Sequence, residues 1–196
     1  MRLIVGLGNP GAEYEGSRHN CGFLVVAGLA DGYGILRSAG RGDFASGSGR
    51  IENSEVRLVL PLTYMNRSGR AVAQLLDETD SEPSDMLVVC DDVNLPLGQL
   101  RLRPSGSDGG HNGLASIIAS IGTENFARLR LGVGMPPEDR EMADYVLDRF
   151  SDGELDSVTD MAQRAMDAVR AVLRDGIESA MTVHNRRTGS PDEQGA

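Results

Sequence analysis

One histidine and one aspartate stand out because of what precedes each of them. His19 follows an apolar run, Leu3-Ile4-Val5, and the loop Gly6-Leu7-Gly8-Asn9-Pro10-Gly11-Ala12-Glu13-Tyr14. The glycines and proline of that loop allow a sharp turn and a close approach to a ligand. Asp91 ends a second apolar run, Met86-Leu87-Val88-Val89-Cys90. In α/β sheets the loops beyond the carboxyl ends of the strands form the ligand crevice, so both residues are expected at one site. A carboxylate that accepts a hydrogen bond from one imidazole nitrogen fixes the tautomer and leaves the other nitrogen free as a base. General-base catalysis of this kind contributes roughly 10²–10⁴-fold. No serine or cysteine nucleophile motif accompanies the pair, so water is the expected nucleophile.

Three amides, Asn9, Asn66 and Asn112, each lie in or beside a tight loop that starts or precedes a helix. Asparagine is a favoured turn and cap residue. Side-chain amides can also orient a water, grip a peptide backbone or stabilise an oxyanion. Tyr14 and Tyr64 belong to a chain with only four tyrosines, four phenylalanines and no tryptophan, and both sit in these loops rather than in apolar stripes. Stacking on a nucleotide and simple packing are both open to them. Arg18 adds a guanidinium to the same loop. His111, flanked by glycines, and His184, near the end of the chain, lack the strand-end context that marks His19.

Two rival chemistries start from the same residues. Gly6 to Gly11 reads as G-x-G-x-x-G after a strand, and Asp31 lies where a dinucleotide fold places its ribose ligand. The third glycine of that motif should open an apolar helix, whereas Ala12-Glu13-Tyr14-Glu15-Gly16-Ser17-Arg18-His19 is mostly polar. Asp91 and Asp92 with His19 or His111 could form a metal site, but the spacing matches no metal-ligand motif.

The elements that must position these residues form one domain. At 196 residues with 40% hydrophobic content, the chain can bury roughly 70% of its unfolded surface in a single unit. No apolar run approaches the ~18 residues of a membrane span. The first residues read as a strand, so no signal peptide is expected. Two cysteines, Cys21 and Cys90, support no disulfide framework, so a reduced, cytoplasmic protein is expected. The net charge of −10 opposes non-specific nucleic-acid binding. Arg101 with Arg103, and Arg128 with Arg130, are each two apart, so each pair shares a face of its strand and can make a local basic patch.

Strands are expected at 2–7, 56–60, 86–90, 100–103 and 128–134. Helices are expected at 20–30, 63–76 and 114–121, from 153 to a stop at Gly176, and over 177–184. The glycine- and serine-rich segment 38–49 reads as flexible, and the turn at 94–98 reads as hairpin-like. The pattern predicts an α/β fold: a single domain over 1–185 with a twisted, mixed but mostly parallel sheet flanked by helices, and a disordered tail over 186–196.

Five co-linear motifs resemble the bacterial-type peptidyl-tRNA hydrolases: G-L-G-N-P-G-x-x-Y…S-R-H-N-x-G-F (6–23), P-L-T-Y-M-N-x-S-G (61–69), D-D-V-N-L-P-L-G-x-L-R-L-R (91–103), G-S-D-G-G-H-N-G-L-x-S-I (106–117) and F-x-R-L-R-L-G-V-G-x-P (126–136). The resemblance implies a monomeric esterase that frees tRNA from its peptide without metal or cofactor. It implies that His19 is the catalytic base, Asp91 its carboxylate partner, and Asn9 the amide that tells a blocked from a free aminoacyl group. Asn66 and Asn112 match amides that contact substrate near the ester, and Tyr14 and Tyr64 match contacts to the tRNA terminus. Arg103 and Arg130 match a clamp on the tRNA 5′-phosphate region, with Arg101 as helper. The implied partners are the acceptor stem and 3′ end of peptidyl-tRNA, with stalled large ribosomal subunits as a further one. Leu60, Asn94 and Ala115 depart from the commoner lysine, aspartate and lysine, which weakens the electrostatic grip without touching the chemistry. A non-enzymatic RNA-binding relative is the competing reading within this resemblance, and the intact His19/Asp91 pair argues against it.

Overall fold

The computed structural model describes residues 1–40 and 42–185; the expected tail over 186–196 lies outside the described residues. Seven strands form one sheet: β1 (Arg2–Gly6), β2 (Ser38–Ala39), β3 (Phe44–Ile51), β4 (Ser54–Pro61), β5 (Met86–Asp92), β6 (Leu100–Arg103) and β7 (Ala127–Gly132). Their spatial order is β2-β3-β4-β1-β5-β7-β6. The central four, β4, β1, β5 and β7, are parallel, and the pairs β2/β3, β3/β4 and β6/β7 are antiparallel. The expected mixed, mostly parallel sheet is therefore present.

Helices cover both faces. On one side α1 (Cys21–Gly32), α5 (Leu155–Asp175) and α6 (Ile177–His184) pack Val25, Leu29, Ala165 and Val169 on Ile4, Val89 and Leu129. On the other, α2 (Ser68–Thr79) and α3 (Asn112–Ile121) pack Val72, Leu75, Leu114 and Ile117 on Leu3, Val5 and Val88. Alternate residues of β1 thus serve opposite layers, as a pleated strand requires. All of β5 is buried, which is why its sequence is a continuous apolar run rather than an alternating one. A further short helix, α4 (Met142–Leu147), stands beside the carboxyl ends of the parallel strands.

Two expectations need correction. Segment 38–49 is largely strand: β2 and β3 extend the sheet by antiparallel pairing on β4. Gly47 and Gly49 are packing residues, since a Cβ on Gly47 would lie 2.4 Å from the Leu36 carbonyl oxygen and one on Gly49 2.6 Å from the Ile35 side chain. The turn at 94–98 does not close a hairpin either. β7 inserts between β5 and β6, with Arg101 opposite Arg130 and Arg103 opposite Arg128. β6 becomes an edge strand, and the Asn185 side chain covers it by accepting from Leu102 N (2.7 Å) and donating to Leu102 O (3.1 Å).

Candidate active site

The parallel strands β1, β4 and β5 send three chain segments to one edge of the sheet, and there the residues of interest gather. The dinucleotide motif fails here as the sequence suggests. Gly11 is followed by a single 3₁₀ turn, Ala12–Tyr14, and not by a long helix. Gly6 and Gly22 let α1 sit directly on the strand ends: a Cβ on Gly6 would lie 2.3 Å from Gly22 O, and one on Gly22 would lie 2.3 Å from Val89 O.

A second 3₁₀ turn, Arg18–Asn20, places His19 against the end of β5. His19 Nδ1 lies 2.8 and 2.9 Å from the two carboxylate oxygens of Asp91, a pairing across 72 residues of chain. Both groups are buried, at 7% and 2% exposure. Asp91 Oδ1 also meets His111 Nε2 at 3.0 Å. Burial works to raise the Asp91 pKa. The field and hydrogen bonds of His111 and then of His19 outweigh it and hold the carboxyl well below the usual range. The two imidazoles thus favour the ionised form of Asp91.

His111 is the residue that sequence reasoning passed over. It is the N-cap of α3, and its Nδ1 accepts from the backbone N–H groups of Gly113 (3.1 Å) and Leu114 (3.2 Å). An imidazole directly before an apolar helical run was the available signal, but histidine is not among the favoured caps. His19, Asp91 and His111 have ligand atoms close enough to be considered for a metal. Their spacing fits shared protons better. Ligand atoms about 2.0–2.2 Å from a tetrahedral zinc stand roughly 3.3 Å apart, whereas these contacts are 2.8–3.0 Å.

Asn9 is buried and oriented. Its Oδ1 accepts from Met65 N (2.7 Å), its backbone N–H donates to Asn20 Oδ1 (2.8 Å), and Asn20 Nδ2 donates back to Asn9 O (3.0 Å). With Oδ1 committed and no partner on Nδ2 among the described residues, both donors of the Asn9 amide are available to a ligand. Met65 opens the 3₁₀ turn Met65–Arg67 that carries Asn66, which is exposed. Tyr14 and Tyr64 meet edge to face, with centroids 6.4 Å apart and an 84° interplanar angle, so loop and turn are joined twice.

A cavity of about 450 Å³ opens beside the histidines, lined by His19, Asp91, His111, Asn112, Arg130 and, from α4, Val146 among others. The sequence reading missed α4, whose available signal is the apolar spacing of Met142, Tyr145 and Val146. Arg130 Nε is 3.0 Å from Asp92 Oδ2, and Asn94 donates to Asp92 Oδ1 through its backbone (3.0 Å) and side chain (3.3 Å).

The two arginines of β7 share a face, as their spacing requires, but they do not form an open patch. Arg128 is 1% exposed and donates to the carbonyls of Gly106, Ser107, Glu124 and Phe126. The glycine loop leaving β6 thus climbs past Arg128, passes Arg130 at Gly109 and delivers His111 to Asp91. On β6, Arg101 is half-buried and Arg103 exposed, and neither has an ion pair among the described residues. Arg18, part of the chemically rich loop, is turned to structure. It makes a two-pronged pair with Glu154 at 2.9 Å and lies 4.4 and 4.6 Å from the Tyr145 and Phe150 ring centroids.

A family model for peptidyl-tRNA hydrolases matches residues 3–192. The chain belongs to the peptidyl-tRNA hydrolase family. Among its peptidyl-tRNA hydrolase relatives, that of Lachnospira eligens is 44% identical over 185 residues, covering 94% of this chain and all of the relative. That of a Synechococcus strain is 46% identical over 196 residues, covering 99% of this chain and 87% of the relative. The crystal structure of peptidyl-tRNA hydrolase from Acinetobacter baumannii superposes with a TM-score of 0.89 at 39% identity, covering 94% of each chain. This peptidyl-tRNA hydrolase fold is thus shared with a solved member at high coverage. No helix among the described residues is long and apolar enough to cross a membrane.

Proposed function

We propose that this hydrolase cleaves the ester between a peptide and the 3′-terminal ribose of tRNA, with His19 as general base on water. The observation that carries the reading is the buried Asp91 carboxylate on His19 Nδ1. That contact assigns the ring proton to Nδ1 and leaves the Nε2 lone pair free. His19 Nε2 takes a proton as water attacks the ester carbonyl, and Asp91 stabilises the imidazolium that forms. The oriented amide of Asn9, with Asn66 and Asn112, holds the acyl group and donates to the developing oxyanion, where one such donor is worth about 3 kcal/mol. Collapse of the tetrahedral intermediate breaks the bond to the ribose oxygen, which leaves with the proton from Nε2.

Tyr14 and Tyr64 take the 3′ end of the tRNA. Arg101, Arg103 and Arg130 hold its 5′-phosphate region, with Arg130 the least free because Asp92 already pairs with it. The enzyme works as a cytoplasmic monomer that returns tRNA to use after premature drop-off, including from stalled large ribosomal subunits. The test is release of peptide from N-blocked aminoacyl-tRNA, beside its unblocked counterpart, in the presence of chelator. His19→Ala should lower turnover by ~10²–10⁴-fold while tRNA binding persists. Full activity in that variant removes His19 from the mechanism, and loss of wild-type activity to chelator replaces the base with a metal.

A further inference from the structure

Asp91 is a buried carboxylate whose hydrogen bonds, among the described residues, come from two imidazoles, His19 and His111. The His111 ring is used at both nitrogens, and its two contacts determine each other. Nδ1 accepts from two backbone N–H groups at the start of α3, so it carries no proton. The ring proton therefore sits on Nε2, which must donate to Asp91 Oδ1. The positive end of the α3 dipole lies behind the ring and strengthens that donor.

We infer that His111 is a positioning residue: locked in one tautomer by the N-terminus of α3, it holds Asp91 in place and shares its charge with His19. This rests on the reading of His19 as the base. The remaining groups around Asp91 cannot substitute. The Cys21 thiol of α1 and the Cys90 thiol of β5 are both kept protonated by burial, and Asp92 is paired with Arg130 of β7. Without the His111 donor, the whole Asp91 charge falls on His19. Asp91 itself also loses one of its two hydrogen-bonding neighbours. The added charge on His19 moves the acid limb of the pH–rate profile to higher pH.

The two functions of the ring can be separated by substitution. Asparagine reproduces the Nδ1 position and keeps the helix cap but does not reach Asp91. Glutamine reproduces the Nε2 position and can donate to Asp91 but leaves the cap unmade. His111→Asn should keep the helix cap, lose about tenfold in kcat and shift the acid limb up by roughly one pH unit. His111→Gln should lower Tm and keep the limb near its wild-type position. If neither variant moves the limb, or if the limb moves with the lost cap in His111→Gln and not in His111→Asn, His111 is only a structural cap. Asp91→Asn, run in the same series, keeps the two questions apart. A large rate loss there with an unmoved limb in His111→Asn overturns this inference alone, and full activity in Asp91→Asn overturns the base reading beneath it.

Discussion

At the scale of single residues, Asn9 shows how one side chain can serve both fold and substrate. Its carbonyl oxygen ties the glycine loop after β1 to Met65, and its amide nitrogen is left for the proposed ligand. Asn9→Asp keeps the acceptor and replaces the outward donor with a negative oxygen. It should fold like the wild type and lose roughly 10²–10³-fold in kcat, since one oxyanion donor is worth that much. Asn9→Ala removes both groups, so it should lose similar activity and also about 1 kcal/mol of stability. Urea unfolding of the two variants beside their kinetics checks this; equal stability would mean the bond to Met65 contributes nothing. The division also explains which site residues were legible in the sequence. Asp91 ends an apolar run and His19 follows a glycine loop that leaves another, and those local signals survive without a structure. His111 gave no such signal, because its importance comes from a carboxylate 20 residues away and from backbone N–H groups that exist only once α3 has formed.

At the scale of elements, the loop that carries His19 is held in place by Arg18. The guanidinium lies between Tyr145 and Phe150 and pairs with Glu154, which itself caps the turn before α5 together with Ser151. The hydrogen bonds from Arg18, then those from Ser151, pull the Glu154 pKa from 4.5 down to about 2. A group whose pKa is lower in the folded state stabilises the fold above its unfolded value and loses that contribution as pH falls. Glu154→Gln should therefore cost roughly 1–2 kcal/mol at neutral pH, after allowance for partial solvent screening. The difference from wild type should shrink as pH falls below 4.5 and vanish near 2, read from denaturant unfolding across that range; a gap independent of pH would mean packing, not charge, is what Arg18 and Glu154 provide. Elements were read well where the period was long and local, as in α5, and in β5, whose burial on both faces shows directly in its composition. Strand order was not readable, because the insertion of β7 between β5 and β6 is a pairing between segments far apart in the chain. β3 was hidden by its own composition: glycines that make room for Ile35 and Leu36 look like flexibility when the neighbours are unknown.

At the scale of the whole molecule, a chain of net charge −10 must bind a polyanion. Repulsion between the two is long-ranged and is screened once separations exceed the Debye length of ~8–10 Å near physiological salt. A contact such as that proposed for Arg103 is local and weakens with salt through counterion release, by a slope of roughly 0.7–0.9 per phosphate. The two terms respond to salt with opposite sign. A plot of log affinity against log salt should therefore be shallow at low salt and steepen towards the contact-limited slope above about 0.1 M. Arg103→Ala should reduce that limiting slope by about one contact. The control is Arg50→Ala, which removes the same charge from exposed β3, far across the sheet from β6. It makes the molecule equally more acidic, so it should weaken binding at low salt and leave the high-salt slope alone. If the two variants flatten the plot alike, the arginines act only through net charge, and the tRNA is gripped somewhere other than β6.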